Sequence, residues 1–178
     1  MVRLFGTDGV RGEANTELTP ELAYHLGRAA TLYFGAQSKV RPRILIGRDT
    51  RISGKMFEAA LTAGICSAGG IALLAGVAPT PAIAYLAREH QAQAGIVISA
   101  SHNPFSDNGI KFFGGDGYKL PDAVEDELEA LVRRLQTNDD AARPTGRAIG
   151  IVEYRDDLLN QYIDYVVGTC TERFDGMK

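Results

Sequence analysis

The segment from Ser99 to Pro104 holds the residue types best suited to chemistry. Two serines and a histidine, Ser99, Ser101 and His102, follow directly on a run of apolar residues. A serine hydroxyl is a weak nucleophile unless a base, a lowered pKa or a metal activates it. Adjacent side chains on an extended segment point to opposite sides, so a hydrogen bond between Ser101 and His102 is not assured. The G-x-S-x-G pattern of α/β-hydrolases is absent, which makes hydrolase chemistry a weak interpretation.

Two interpretations of Ser101 stay open on residue types alone. The first is a polar turn that carries the chain out of a sheet, and composition favours it. The second is a phosphoryl carrier, whose charge of about −1.5 to −2 at neutral pH needs nearby cations. The candidate cations are Arg11 in GTDGVRG, Arg48 and Arg51 in GRDTR, and Lys111 in NGIK. Backbone N–H groups of the glycine-rich turns would add dipoles that bind an anion.

The acidic residues near these segments are predicted to be structural. Asp49 lies between two arginines, which favours an ion pair with one of them. Asp107 and Asp116 have the asparagine and glycine neighbours that are typical of turn residues. No cluster of His, Asp and Glu has the spacing of a dedicated metal site. The sequence therefore predicts no complete metal site within these residues.

The apolar patterns predict strands that alternate with helices. Strands are expected at RILIG, IALLAG and AGIVIS, a hairpin at IKFF with GGDG, and helices after Thr19, Ser53, Thr80 and Asp122 and over YRDDLLNQYIDYVVGTC. Such alternation is typical of parallel pairing, so we expect an α/β fold: three layers, α/β/α, with a mixed, mainly parallel sheet. Functional loops gather at the carboxyl ends of such strands, so GRDTR and SASHNP are expected to reach one crevice.

Length and composition limit the class of protein. A chain of 178 residues fits one domain, or one domain with a short tail. The formal net charge of −3, without a basic stripe, argues against a nucleic-acid footprint. Cys66 and Cys170 are too few and too far apart for a disulfide framework. Neither a basic-then-apolar leader nor an apolar run of membrane length is present, so the sequence predicts a cytoplasmic protein.

Four segments taken together resemble the α-D-phosphohexomutase family. They are FGTDGVRG, GRDTRISG, PTPAIAYL and GIVISASHNPFSDNGIKFFGGDGYKL, and their order and spacing extend from about Phe5 to about Leu135. A serine followed by His-Asn-Pro and then by Asn-Gly-x-Lys resembles the phosphoserine loop of that family. Family members have four domains. The resemblance implies that residues 1–150 form the N-terminal domain with this loop, and that residues 151–178 form a helix and the start of a connection to a missing second domain.

The resemblance implies a role for each matching residue. Ser101 would be the phosphorylated serine that donates and retrieves the phosphoryl group, and its phosphate would be one ligand of a magnesium ion. Lys111 would assist proton transfer or charge neutralisation near that phosphate. Arg11 would belong to the active-site loop, and His102 would lie beside the phosphoserine. The reaction implied is the interconversion of glucosamine 6-phosphate and glucosamine 1-phosphate through a bisphosphorylated sugar.

Three signature loops of the family are absent from this sequence. They are the magnesium loop Asp-Gly-Asp-x-Asp-Arg, the sugar loop Gly-Glu-x-Ser and the phosphate loop Arg-x-Ser-Gly-Thr. The remaining ligands of Mg²⁺ are thus expected outside this chain, in the full-length enzyme. The abrupt ERFDGMK ending suggests a cut chain, and the isolated fragment is expected to be inactive. Glucose or mannose phosphate as the substrate, and a non-catalytic phosphate-binding module, are the alternatives. The partner is expected to be a phosphosugar, neither nucleic acid nor membrane, and a homodimer is left open.

Overall fold

The computed structural model describes residues 3–138, 141, 143–170 and 176. Within these residues the strands are β1 (Val10–Glu13), β2 (Arg43–Arg48), β3 (Ile71–Val77), β4 (Ala94–Ile98), β5 (Asp107–Gly114) and β6 (Ile151–Tyr154). The helices are α1 (Pro20–Ala36), α2 (Gly54–Ser67), α3 (Thr80–Glu89), α4 (Asp122–Thr137) and α5 (Leu158–Thr169), with a short 3₁₀ turn at Gly146–Ala148. Most of the ERFDGMK ending lies outside the described residues.

The strands form one mixed sheet in the order β1-β5-β4-β2-β3-β6. The four strands from β4 to β6 in this order run parallel, while β5 and β1 are antiparallel to their neighbours. The core on one face of the sheet includes α1, α2 and α4, and the core on the other face includes α3 and α5. The expected three-layer α/β/α fold with a mainly parallel sheet is therefore confirmed.

The central strands are continuous apolar runs because helices cover both of their faces. Ile44 and Ile46 of β2 belong to the core beneath α1 and α2, whereas Leu45 between them belongs to the core beneath α3. All three side chains are fully buried. This alternation explains why RILIG was recognisable as a strand although it lacks the apolar-polar alternation of a half-exposed strand.

Helices α1 and α2 approach each other through two glycines. A Cβ atom at Gly64 would lie far inside van der Waals distance of the backbone carbonyl oxygen of Tyr24. A Cβ at Gly27 would meet the carbonyl oxygen of Leu61 in the same way. The two helices therefore pack backbone against backbone, and any side chain at either position must push them apart.

Helices α1 and α4 differ in how their N-termini are capped. Thr19 caps α1 as predicted, because its side-chain oxygen accepts a hydrogen bond from the backbone N–H of Leu22 at 3.2 Å. The spacing of Asp122 and Glu125 suits a capping box, but none forms, since Pro121 is the N-cap of α4 and makes no side-chain capping hydrogen bond. Glu125 is instead buried, with its carboxylate 3.0 Å from the ammonium group of Lys119.

Strands β1 and β6, at the two edges of the sheet, were not expected from the sequence. β6 pairs in parallel with β3, from the pair Ile71 and Ile151 to the pair Leu74 and Tyr154. It therefore lies beyond the predicted boundary at residue 150 and yet belongs to the same sheet. That boundary stays a prediction. Among the described residues, none of the helices is long and apolar enough to cross a membrane.

The start of α5 provides a test of pH dependence. The carboxylate of Asp157 accepts hydrogen bonds from the guanidinium of Arg155 at 2.8 and 2.7 Å and from the amide of Gln161 at 2.7 Å. The bond from Arg155 lowers the pKa of Asp157 from 3.8 to about 2. A depressed carboxyl pKa stabilises the fold above the unfolded-state value, and this contribution is lost as the pH falls through the folded-state value.

We therefore expect Asp157→Asn to lower the free energy of unfolding at neutral pH by less than about 1 kcal/mol, because the pair is exposed to solvent. The difference between the two proteins should shrink as the pH falls below 3.8 toward about 2. Urea unfolding of both proteins at a series of pH values measures it. A difference that is the same at every pH would show that the charge of Asp157 contributes nothing.

Candidate active site

Ser101 lies in the loop that joins β4 to β5, residues 99–106, which we call the serine loop. Its side chain is exposed, and its backbone has a φ of +59°. This left-handed conformation costs a residue with a side chain about 1–2 kcal/mol. The buried Ser99 offsets part of that cost, because its hydroxyl oxygen accepts the backbone N–H of Ser101 at 3.0 Å. Ser101 is thus held in a strained conformation directly beyond a buried parallel strand.

The guanidinium of Arg51 binds the serine loop from the neighbouring loop after β2. Its Nη atoms donate to the carbonyl oxygens of Ser101 at 3.1 Å, Asn103 at 2.9 Å, Asp107 at 3.0 Å and Pro104. Its Nε donates to the carboxylate of Asp49 at 3.1 Å, which confirms the predicted ion pair. The prediction that Arg51 is a cation for a phosphate is wrong, because all five of its N–H donors are already used.

Arg48, another candidate cation, is turned toward α2. Its Nε lies 3.2 Å from the carboxylate of Glu58, and one Nη donates weakly to the carbonyl oxygen of Asp49 at 3.4 Å. The Arg48 side chain is 14% exposed. These contacts give it a structural role in fixing the loop after β2 on the helix that follows.

Asn108 joins the start of β5 to the start of α2. Its side-chain amide donates to the hydroxyl of Ser53 at 2.8 Å, and its amide oxygen accepts the backbone N–H of Gly109 at 2.8 Å. Asn108 is completely buried. Ser53 occupies the predicted N-cap position but makes no capping hydrogen bond with its side chain. Sequence reasoning treated the Asn-Gly pair as a turn and so missed this buried contact.

Arg11 and Lys111 lie on one face of the antiparallel end of the sheet. Arg11 of β1 pairs with Gly109 of β5, and Lys111 follows two residues later on the same face. A Cβ at Gly109 would lie 3.0 Å from the Cγ of Arg11, so the glycine provides the space for this side chain. An Nη atom of Arg11 lies 3.2 Å from the carboxylate of Asp8, while its buried Nε has no hydrogen-bond partner within the described part of the chain.

Lys111 also lines a cavity of about 220 Å³. The cavity is bounded by the turn that contains Asp8, by the start of α3 at Thr80, and by Lys119 and Glu125. The hydrogen bond to Glu125 raises the pKa of Lys119. Two lysines thus face one small space, where one is paired with a buried carboxylate.

His102 lies beside Ser101, but the geometry between them is loose. The Nδ1 atom of His102 is 3.5 Å from the hydroxyl oxygen of Ser101, at the outer limit of a hydrogen bond. Both side chains are exposed. The structure therefore places His102 next to the candidate nucleophile, with Lys111 on β5, the antiparallel neighbour of β4, and Arg11 on β1, one strand further out. The catalytic roles of these four residues stay predictions.

The described residues do not form a complete magnesium site. Mg²⁺ requires near-octahedral coordination by oxygen ligands. Ser101 offers one such oxygen, and no group of three or more His, Cys, Asp and Glu side chains converges within the part of the chain that the structure describes. The carboxylates nearest in the fold are already bound, Asp49 by Arg51 and Asp107 by the amide of Asn103. These residues alone do not fit a bound magnesium ion.

This fold and this loop define an α/β/α domain that presents a serine beyond the carboxyl end of a parallel strand. The family model for phosphoglucomutase/phosphomannomutase, alpha/beta/alpha domain I, matches residues 2–139, and the chain belongs to that family.

Curated relatives support the same family. The chain is 55% identical over 178 residues to a phosphoglucosamine mutase of Ruminiclostridium cellulolyticum, which covers 100% of this chain and 39% of the relative. It is 56% identical over 173 residues to a phosphoglucosamine mutase of Syntrophomonas wolfei, which covers 97% of this chain and 38% of that relative. The chain thus spans about two fifths of the length of these relatives.

Solved structures share the fold. A putative phosphomannomutase from Thermus thermophilus superposes with a TM-score of 0.76 at 28% identity, covering 93% of this chain and 35% of that protein. A phosphoglucomutase/phosphomannomutase family protein from Burkholderia thailandensis superposes with a TM-score of 0.74 at 26% identity, over the same shares of the two chains.

Proposed function

We propose that this chain is the phosphoserine domain of a phosphoglucosamine mutase, which interconverts glucosamine 6-phosphate and glucosamine 1-phosphate. The observation that carries the proposal is the state of Ser101. Its hydroxyl is exposed while its backbone is strained and is bound by the buried Ser99 and by the largely buried guanidinium of Arg51. A polar turn needs no such support, whereas a residue that gives and takes a phosphoryl group must be held in place. Relatives with this name, 55% and 56% identical, support the choice of substrate.

The chemistry consists of two opposite phosphoryl transfers. In the first, the bond between phosphorus and the Ser101 oxygen breaks while phosphorus bonds to the free hydroxyl oxygen of the sugar monophosphate. The sugar hydroxyl loses its proton, and Ser101 leaves as an alkoxide that regains one. The second transfer returns the other phosphate of the bisphosphorylated sugar to Ser101. Positioning and charge stabilisation account for most of the catalysis of such reactions.

Within this proposal the neighbouring residues manage charge. Lys111 and Arg11 lie on one face of the sheet end and neutralise the phosphoryl oxygens, with the Nε–H of Arg11, to which no described residue binds, as a donor. The Nδ1 atom of His102 lies 3.5 Å from the Ser101 hydroxyl, and His102 exchanges a proton with that hydroxyl or donates to its phosphate. The resemblance adds Mg²⁺, which would supply further charge stabilisation with the phosphate of Ser101 as one ligand and the others outside this chain. A cytoplasmic location belongs to the same proposal, which leaves the homodimer open.

We expect the 178-residue chain alone to have no mutase activity. It holds neither a complete metal site among its described residues nor the sugar and phosphate loops of the family. A coupled assay of the purified chain, prepared from cells that lack the host mutase, measures the conversion of glucosamine 6-phosphate. Turnover above the blank would contradict this expectation.

A substrate panel tests the proposed function on the full-length protein. Glucosamine, glucose and mannose 6-phosphates are compared at equal concentration, with the bisphosphate of each sugar as activator. The proposal requires the highest kcat/KM with glucosamine 6-phosphate. A preference for glucose or mannose phosphate would instead assign a phosphoglucomutase or phosphomannomutase. Phosphorylation of Ser101 without turnover of any sugar would indicate a phosphate-binding module.

A further inference from the structure

We propose that Arg51 is the positioning residue that fixes the shape of the serine loop and so aims Ser101. We call the guanidinium of Arg51, together with the carbonyl groups that it binds on Ser101, Asn103, Pro104 and Asp107, the Arg51 clamp. The catalytic consequence of the clamp rests on the proposed function, whereas its effect on the loop does not.

The side chain of Arg51 has no spare hydrogen-bond donor. A guanidinium has five N–H groups, and four of those of Arg51 bind backbone carbonyls while the fifth binds Asp49. The Arg51 side chain is 11% exposed. An arginine that binds the phosphate of a ligand keeps N–H donors free toward solvent. Arg51 instead binds the protein backbone.

The serine loop has few backbone hydrogen bonds of its own. Within the serine loop, the backbone N–H of Asn103 binds the carbonyl of Ala100 at 3.1 Å, and Ser101 binds the hydroxyl of Ser99. The N–H of Asp107 binds the carbonyl of Pro104 at 3.1 Å. Four carbonyls along seven residues accept hydrogen bonds from one side chain of another loop, and one of them, that of Pro104, also accepts the N–H of Asp107. Without that side chain they would lack their charged donor, and the loop would rearrange.

Arginine suits position 51 better than lysine does. The planar guanidinium presents its donors in a fixed plane, whereas the ammonium of a lysine is a compact group with three donors. Asp49 fixes the orientation of that plane, since one carboxylate oxygen binds the Nε of Arg51 and the other binds its backbone N–H at 2.9 Å. Lysine at position 51 would retain the charge but lose the geometry that collects four carbonyls.

The clamp links two loops that follow neighbouring parallel strands. Arg51 comes after β2 and Ser101 comes after β4, and these strands are direct neighbours in the sheet. The rigid sheet thereby determines the position of the Ser101 hydroxyl. In a positioned transfer, a displacement of about 1 Å costs about 10²-fold in rate. Arg51 therefore acts on the reaction through Ser101 and not by touching the substrate.

Amide hydrogen exchange on the 178-residue chain tests the effect on the loop. Wild type, Arg51→Lys and Arg51→Ala are compared with Arg88→Ala, which removes an arginine that is 57% exposed on α3. We expect exchange in residues 101–107 to rise at least about tenfold in both Arg51 variants and not in Arg88→Ala. Exchange in β2 and α1 should stay within about twofold of wild type, and millimolar guanidinium should partly restore protection in Arg51→Ala only.

Unchanged exchange of the loop in the Arg51 variants would overturn the proposal. If Arg51→Ala does not fold, as judged by circular dichroism, the same criteria apply to Arg51→Lys, which retains the charge. In the full-length protein, both variants should lose about 10²-fold in kcat with KM within about threefold of wild type. A wild-type kcat in a variant with a mobile loop would also refute the positioning role. Failure of the wild type itself to form phosphoserine would refute the proposed function and leave the exchange result to decide the clamp.

Discussion

Replacing Ser101 by alanine is expected to abolish phosphorylation of the chain and the mutase activity of the full-length protein. The hydroxyl is the atom that bonds to phosphorus, and the neighbouring His102 cannot replace it because the retrieved phosphate must return to the same position. We expect a loss of at least about four orders of magnitude in kcat, the scale found when an enzyme loses its covalent nucleophile. The fold should be retained, because the Ser101 side chain is exposed.

The measurement is the intact mass of the protein before and after phosphatase treatment, following incubation with a hexose bisphosphate. Ser106→Ala is the matched control, since Ser106 is an exposed serine of the same loop whose hydroxyl donates to the carboxylate of Asp107 at 3.2 Å. Wild type and Ser106→Ala should each gain one phosphoryl group, and Ser101→Ala none. A phosphatase-sensitive mass increase in Ser101→Ala would place the phosphoryl group on another residue and refute the proposed function.

Replacing Gly64 by alanine is expected to destabilise the fold strongly. Alanine favours a helix over glycine by about 1 kcal/mol, so the change would be favourable on an isolated α2. In the fold, however, the new methyl group collides with the carbonyl oxygen of Tyr24 and lies 2.9 Å from the backbone nitrogen of Arg28. Backbone atoms in a packed helix cannot swing aside. We expect a net loss of about 3 kcal/mol, at or above the usual upper limit for an overpacked core.

The matched control is Gly168→Ala, which places the same methyl group in α5. Among the residues that the structure describes, no heavy atom lies within 4 Å of a Cβ at Gly168, so we expect only helix propensity to change. We expect that variant to be as stable as wild type or slightly more stable, by up to about 1 kcal/mol. Urea unfolding followed by circular dichroism compares the three proteins. Equal stability of Gly64→Ala and wild type would mean that α1 and α2 separate without cost.

The elements recognised from the sequence are those whose identity depends on local pattern. β4 is apolar throughout and β2 is apolar between its terminal arginines, because both faces of these strands are buried, and α1 carries its own cap at Thr19. The edge strands lack such a pattern. Of the four residues of β1, which include Gly12, one is buried, and the segment is a strand because it pairs with residues 107–110. β6 pairs with a strand about 80 residues earlier, which no local pattern predicts.

The candidate site divides in the same way. The sequence identified the serine loop and the arginines near it, because residue types and order carry that information. It could not assign Arg51 to the loop backbone, since every residue has a carbonyl group and only the fold brings four of them together. Glu125 illustrates a different limit. Its spacing from Asp122 suits a capping box, but a tertiary contact with Lys119 buries the carboxylate instead.

The strand order also determines how much surface surrounds the reactive serine. β4 is third from the β1 edge, so with about 4.8 Å between strands the sheet extends about 10 Å to one side of Ser101 and about 14 Å to the other. Under the proposed reaction, a sugar with two phosphates must turn end over end without leaving the protein. A serine at a sheet edge would leave half of that rotation over open solvent. A serine near the middle of the sheet leaves loops of the protein beneath the sugar in both of its orientations.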